Sequence, residues 1–416
     1  MRLTLTHPWV TFTALSLLFF LVSGGSFNSL GVVLPAMVRE LGWNWQQAGL
    51  GFTLLGVACG LTSVAAAASV RRLGVRATLL LGGLMLVLGF GGLATTHSVL
   101  IYLIGTSLIG VAFSFSTTVA GTHVLTAIFK RQSTVIGAYF TIGTLGGVAG
   151  PLIYNAVAPA AGWRAYWWMF VVASAVLAVF AAAASPDRIE HDPADEIPPD
   201  QADPAQILGD LGEWTVRRAL GSSQFYVIVG GYTMYLLINT TAHGFAVEHL
   251  IERGIPQAAG GVMLSVEALV GAVVSVVGGI VGEKIKPKTL LVICLIASIV
   301  GMVALGVAHG YVMMGAYAIG VGIGYGLSFV SATMLLLTYF GRRAYLELYS
   351  IMCLLSTTAA LGPAVGGWAR DTLGSFAGVF YLCAVAAVLM LIATVLMRAP
   401  SLSSRAALAS GAARGA

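Results

Sequence analysis

The chain reads as an all-α membrane protein of twelve transmembrane helices in two parallel, pseudo-symmetric six-helix halves. Three observations predict this. Of 416 residues, 58% are hydrophobic and only 9% charged, against about 25% charged in soluble proteins. A hydrocarbon layer of about 30 Å takes about 20 helical residues per crossing, and the apolar segments reach that length twelve times. A shift of 212 residues lays the second half on the first.

The elements follow in order. α1 (10–36) comes after Arg2 and runs apolar through Ser23-Gly24-Gly25 to Leu34-Pro35. That is far longer than a signal-peptide core of about 7–15 residues, so it reads as a retained helix. α2 (46–69) stops at Arg71-Arg72, α3 (77–95) starts after Arg76, and α4 (98–128) stops at Lys130-Arg131. α5 (133–159) contains Gly146-Gly147-Val148-Ala149-Gly150-Pro151, and α6 (163–184) begins at Trp163-Arg164. After the connecting segment, α7 (222–249) closes at Glu248-His249, and α8 (256–281) holds Glu267. α9 (289–307) follows Lys284, Lys286 and Lys288, and α10 (310–340) ends before Arg342-Arg343. α11 (345–369) contains Gly362-Pro363, and α12 (375–397) ends at Arg398.

Of the 21 Lys and Arg, only Arg39, Arg164, Arg253 and Arg370 fall on one side; the rest fall on the side that holds both termini. Positive charge marks the cytoplasmic face, so both termini are expected in the cytoplasm, with a bacterial inner membrane as the setting. This bias accounts for the net charge of +5. The basic residues are scattered over loop ends with no interleaved aromatics, which argues against nucleic acid.

At the 212-residue shift, Glu40 and Gly42 fall on Glu252 and Gly254, Lys130-Arg131 on Arg342-Arg343, Gly150-Pro151 on Gly362-Pro363, and Gly162 on Gly374. The halves are therefore expected at 1–184 and 222–398, with 399–416 as a cytoplasmic tail. Between them, 185–221 is rich in Asp, Glu and Pro, the composition of a flexible linker. Parallel six-helix repeats are a transporter plan with the solute site near mid-membrane between the halves. A monomer that moves a small-molecule solute through a lipid bilayer is the expectation.

Glu267 is the one carboxylate at mid-membrane depth. An ionisable side chain there marks a functional site by default. It reads as a proton-coupling acid, or else as a hydrogen-bonded tie between helices. His243, with Tyr235 and Asn239 at helical spacing on α7, is the second proton candidate; the alternative is a histidine satisfied by a backbone carbonyl. Ser26 and Asn28 on α1, Thr118 and His123 on α4, and Tyr325 and Ser328 on α10, beside Tyr317, complete the expected lining. Each of these also serves as ordinary glue between membrane helices, and His123 reads equally as structural or gating. Gly150, Pro151, Gly362 and Pro363 read as paired hinges, because proline frees a backbone carbonyl.

Cys59, Cys294, Cys353 and Cys383 all lie in apolar helices with neither disulfide nor zinc spacing. No phosphate loop, metal spacing or nucleophilic triad appears. No cofactor, metal or enzymatic activity is expected.

Two basic turns, Arg71-Arg72-Leu73-Gly74-Val75-Arg76 and Gly282-Glu283-Lys284-Ile285-Lys286, stand where the major facilitator superfamily carries its helix 2–3 and 8–9 signatures. The chain resembles that superfamily over nearly its whole length. The resemblance makes Arg72, Glu283 and Lys284 gate residues, although Arg71 stands at the usual acidic position. Leu41-Gly42-Trp43, Gly162-Trp163-Arg164, His249-Leu250 with Arg253-Gly254, and Leu361-Gly362-Pro363 resemble the monocarboxylate and oxalate–formate porter branch. That branch implies a small organic acid taken up with a proton. It carries a substrate-binding arginine eight residues before the acidic residue of the helix 8–9 turn, where this chain has Ser275. Efflux of lipophilic or cationic compounds is the alternative reading, and a non-transporting membrane sensor is another.

Overall fold

A computed structural model describes residues 7–129, 132–187, 214–282 and 285–400. Among these, ten helices are long and apolar enough to span a membrane. Two further points bring this to the expected twelve. The 50-residue run Val135–Ala184 breaks at Gly162 (φ 76°, ψ 171°), and Tyr166 comes back to donate to the Gly150 carbonyl at 3.2 Å, so α5 and α6 lie side by side. α7, Ser223–Ile251, falls short of the apolar threshold because Tyr235, Asn239 and His243 dilute it.

The observed ends fall within about a turn of the expected ones, some longer and some shorter, except that α1 runs on to Leu41. α1 covers Pro8–Leu41, α2 Trp45–Leu73 and α3 Val75–Thr95. α2 starts where Asn44 caps it: the side chain accepts from the Gln47 amide at 2.8 Å, and Gln47 returns a bond to the Asn44 amide. α4 covers Val99–Ile128, α8 Gln257–Val281, α9 Pro287–Gly306 and α12 Ala377–Leu396. α10 and the start of α11 form one run, Tyr311–Ser356, broken at Gly341 (φ 77°). α11 then tightens into a 3₁₀ turn, Thr357–Leu361, and continues as Gly362–Leu373.

The repeat register is visible in the backbone. Gly42 and Gly254 have φ 67° and 82°, and Gly162 and Gly374 have φ 76° and 75°. These are left-handed values that suit glycine, at turns matched by the 212-residue shift. Each matched glutamate meets an arginine at the next turn of its half: Glu40 accepts from Arg164 and from Trp163 Nε1, and Glu252 from Arg370 Nε at 2.7 Å.

The halves also differ. α1 and α4 each contain a π turn, Gly24–Asn28 and Ser114–Thr118, while their mates α7 and α10 stay regular at the matching positions. The hinges expected as a symmetric pair are not symmetric either. At Pro363 the chain is 3₁₀ on its N-terminal side, and the carbonyl of Ala359, which Pro363 cannot bond, accepts from Thr240 at 3.2 Å. At Pro151 the helix runs on without a break.

Candidate functional site

The site is built at mid-depth where α7, α8 and α10 meet. Glu267 is 1% exposed. One carboxylate oxygen accepts from the Tyr317 hydroxyl at 2.7 Å. The other lies 3.7 Å from Nε2 of His243 and has no hydrogen-bond partner. His243 Nδ1 is 2.8 Å from the Asn239 carbonyl, which can only accept, so Nδ1 carries a proton. Nε2 of that ring faces the free carboxylate oxygen across 3.7 Å, beyond hydrogen-bond distance.

The sequence left Glu267 and His243 as separate candidates, and the structure brings them together. It also adds Tyr317 as the third member. A charged residue at a helix centre costs roughly 3 kcal/mol on insertion scales, which explains why the acid sits among partners that can accept or cancel its charge.

The other expected residues sort differently. Tyr325 reaches across the halves, its hydroxyl 3.3 Å from that of Thr144 on α5. Asn28, in the π turn of α1, lies so close to α5 that a Cβ on Gly147 would stand 1.9 Å from its amide nitrogen. Tyr235 packs with Leu290, Cys294 and Leu327 and stacks on Tyr325, centroids 6.2 Å apart, and its buried hydroxyl has no partner among the described residues. Asn239 contributes its backbone carbonyl. Ser26 and Ser328 are buried and bond to their own helices, at Ser23 and Tyr325 carbonyls. Thr118 closes the π turn of α4, and His123 is exposed one turn on. None of these four joins the Glu267 group, because a helix face set by two π turns cannot be read from regular spacing.

Arg72 is exposed; in its turn it is Arg76 that makes the inter-helix contact, donating to the Ser185 carbonyl at 2.9 Å. Glu283 and Lys284 lie outside the described residues. Ser275, at the position of the branch arginine, donates to the Gly326 carbonyl at 3.1 Å and so ties α8 to α10.

Contacts between the halves concentrate at the end opposite the linker, hereafter the far end. Asp371 accepts from the amides of Trp45 and Gln46 at 3.1 and 2.8 Å, so a carboxylate of one half caps a helix of the other. Arg39 pairs with Glu248 at 3.6 Å. Gln257 donates to the Val32 carbonyl at 2.9 Å, and Asn155 to that of Ala258 at 2.9 Å. Below them Gly49 meets Pro363, and Gly31 meets the His243 carbonyl, so closely that an added Cβ would stand 2.2 and 1.8 Å from those oxygens. Asp371 was not among the residues singled out from the sequence. The halves thus meet at the far end, with Glu267, His243 and Tyr317 buried nearby.

The family model described as Major Facilitator Superfamily matches residues 15–352 and 232–414. No curated protein matches the sequence. Among solved structures, a nucleoside transporter, NupG, superposes with a TM-score of 0.71 at 15% identity, over 92% of this chain and 97% of that one. A bacterial homologue of the human lysosomal transporter Spinster, inward-facing and unoccupied, gives 0.72 at 17% identity, over 94% and 96%. At these identities the likeness establishes the fold. With the family model covering most of the chain, the protein belongs to the Major Facilitator Superfamily and is a membrane transporter, not an enzyme.

Proposed function

We propose that the chain is a proton-coupled secondary transporter that moves a small organic solute by alternating access between halves 1–184 and 222–398, with residues 185–221 as linker. The observation that carries this reading is the His243–Glu267–Tyr317 group, a buried proton site on three helices of one half. Solvation of that group changes when the halves rock, and with it the affinity for the proton. The linker end is assigned to the cytoplasm, which makes the far end, where the halves meet, external. A monomer in a bacterial inner membrane fits this reading.

An organic acid, implied by the branch resemblance, has to travel with its proton here, because the basic residues of the described spans, such as Arg39, Arg76 and Arg370, sit at span ends and none stands at mid-depth beside Glu267 to hold a carboxylate. The same lack of basic residues favours a second reading, efflux of lipophilic or cationic compounds.

In proteoliposomes, solute uptake is expected to follow an imposed pH gradient and to collapse with a protonophore. Uptake that requires ATP and ignores the gradient would defeat the proposal. Orientation has its own test. Ala308 is buried, so the exposed His309 is the better probe of the far end. A cysteine at His309 should react with an impermeant maleimide in intact cells, and one at Ala205 should not.

A further inference from the structure

Towards the linker end, the halves are joined by rings. Phe113, Phe19 and Phe140 of the first half make edge contacts in series. Phe140 then stacks on Phe329 of the second, centroids 6.2 Å apart and planes at 27°. Phe329 meets Tyr349 on α11 edge-on, and Tyr349 meets Tyr345. Phe329 has partners from α5 on one side and α11 on the other, yet it is 44% exposed.

One helical turn further from the linker end on both helices, Thr144 and Tyr325 face each other with hydroxyls 3.3 Å apart. The Tyr325 ring packs against Gly271, where an added Cβ would stand 2.2 Å from it, and Glu267 is one turn beyond Gly271 on α8. The order along the axis is thus two flat apolar faces, then two hydroxyls, then the buried acid.

We infer that Phe140 and Phe329 form a slot for a small solute built on a planar aromatic ring, uncharged as bound, whose polar substituent takes hydrogen bonds from Thr144 and Tyr325. A ring held between two others needs about 3.5 Å on each face, whereas Phe140 and Phe329, with centroids 6.2 Å apart, are in direct ring contact, so the two rings part to admit the guest. Flat faces with offset or tilted stacking suit an aromatic guest. The slot contains no Lys, Arg, Asp or Glu, and Glu267 behind it is already bound by Tyr317. A charged guest would find no counter-ion. The inference rests on the transporter reading and names its substrate class.

The test uses the purified full chain in detergent and matched probes: planar benzamide, its saturated counterpart cyclohexanecarboxamide, and the lipophilic cation tetraphenylphosphonium. A ligand that binds the folded state raises its Tm. Benzamide is expected to stabilise the protein and cyclohexanecarboxamide to leave it unchanged. Phe140→Leu and Phe329→Leu should each weaken benzamide about tenfold, the scale of losing one stacked face, while Phe140→Tyr and Phe329→Tyr keep it. The ring-retaining variants separate loss of stacking from loss of fold. Equal effects of the saturated and planar probes, stabilisation by the cation alone, or no stabilisation by benzamide would each overturn the slot. Because this readout needs no gradient, such a result leaves proton-driven uptake standing, and failure of uptake with benzamide bound overturns only the transporter reading.

Discussion

Glu267→Gln is expected to stop proton-driven accumulation while solute exchange across the membrane continues. The amide keeps the size of the carboxyl and can still accept from Tyr317, so the α8–α10 tie at 2.7 Å survives. What disappears is the titratable carboxyl that faces His243 Nε2 at 3.7 Å. Accumulation against a gradient should fall at least about tenfold, equivalent to about 1.4 kcal/mol of lost coupling, with exchange in equal pH on both sides nearly unchanged. His243→Gln should act in the same direction, because Nε2 is the ring atom that faces that carboxyl. Normal coupled uptake in Glu267→Gln would reduce the acid to a helix tie.

The second large effect lies at Gly49. A valine there places its Cβ about where the Pro363 carbonyl approaches, at 2.2 Å from the oxygen, and the side that must yield is backbone. Overpacking of this kind costs about 1–3 kcal/mol, and it is charged only to the conformation in which the far end is shut. The ratio of shut to open forms should drop by about tenfold for each 1.4 kcal/mol. Gly49→Val should therefore lose transport and, in detergent, speed the maleimide labelling of a cysteine at Ala364, whose amide donates to Thr53 of the other half at 3.1 Å. Unchanged labelling would show that the contact between Gly49 and Pro363 does not control closure.

The architecture was legible because it follows from solvent. Apolar length set the spans, and a fixed offset located the repeat, down to glycines at Gly42 and Gly254 that share a left-handed backbone. Glu267 stood out for the same reason, as an acid at a depth where acids are costly. Its partners were not legible, since His243 and Tyr317 lie on other helices, and which faces meet depends on helix rotation. Tyr235 shows the limit most clearly: it shares the α7 stripe with His243 in sequence, yet its ring stacks on Tyr325 and packs beside Cys294, while His243 faces Glu267. The ion pair of Arg164 with Glu40 had a readable hint in the matched Glu252, whereas the bond from Asp371 to the first amides of α2 had none.

The π turns of α1 and α4 store a phase slip. Each holds one residue more than an α-helical turn, and relaxing it to regular helix rotates everything on one side by about 100° and advances it by about 1.5 Å. In α1 that rotation would carry Asn28 off Gly147 and break the Tyr166–Ser29 hydroxyl bond of 2.5 Å that pins the turn. Relaxing either π turn would therefore change which side chains the first half presents to the second, like a key turned against the wards of a lock, whereas Glu267, His243 and Tyr317 stand on helices without such a turn.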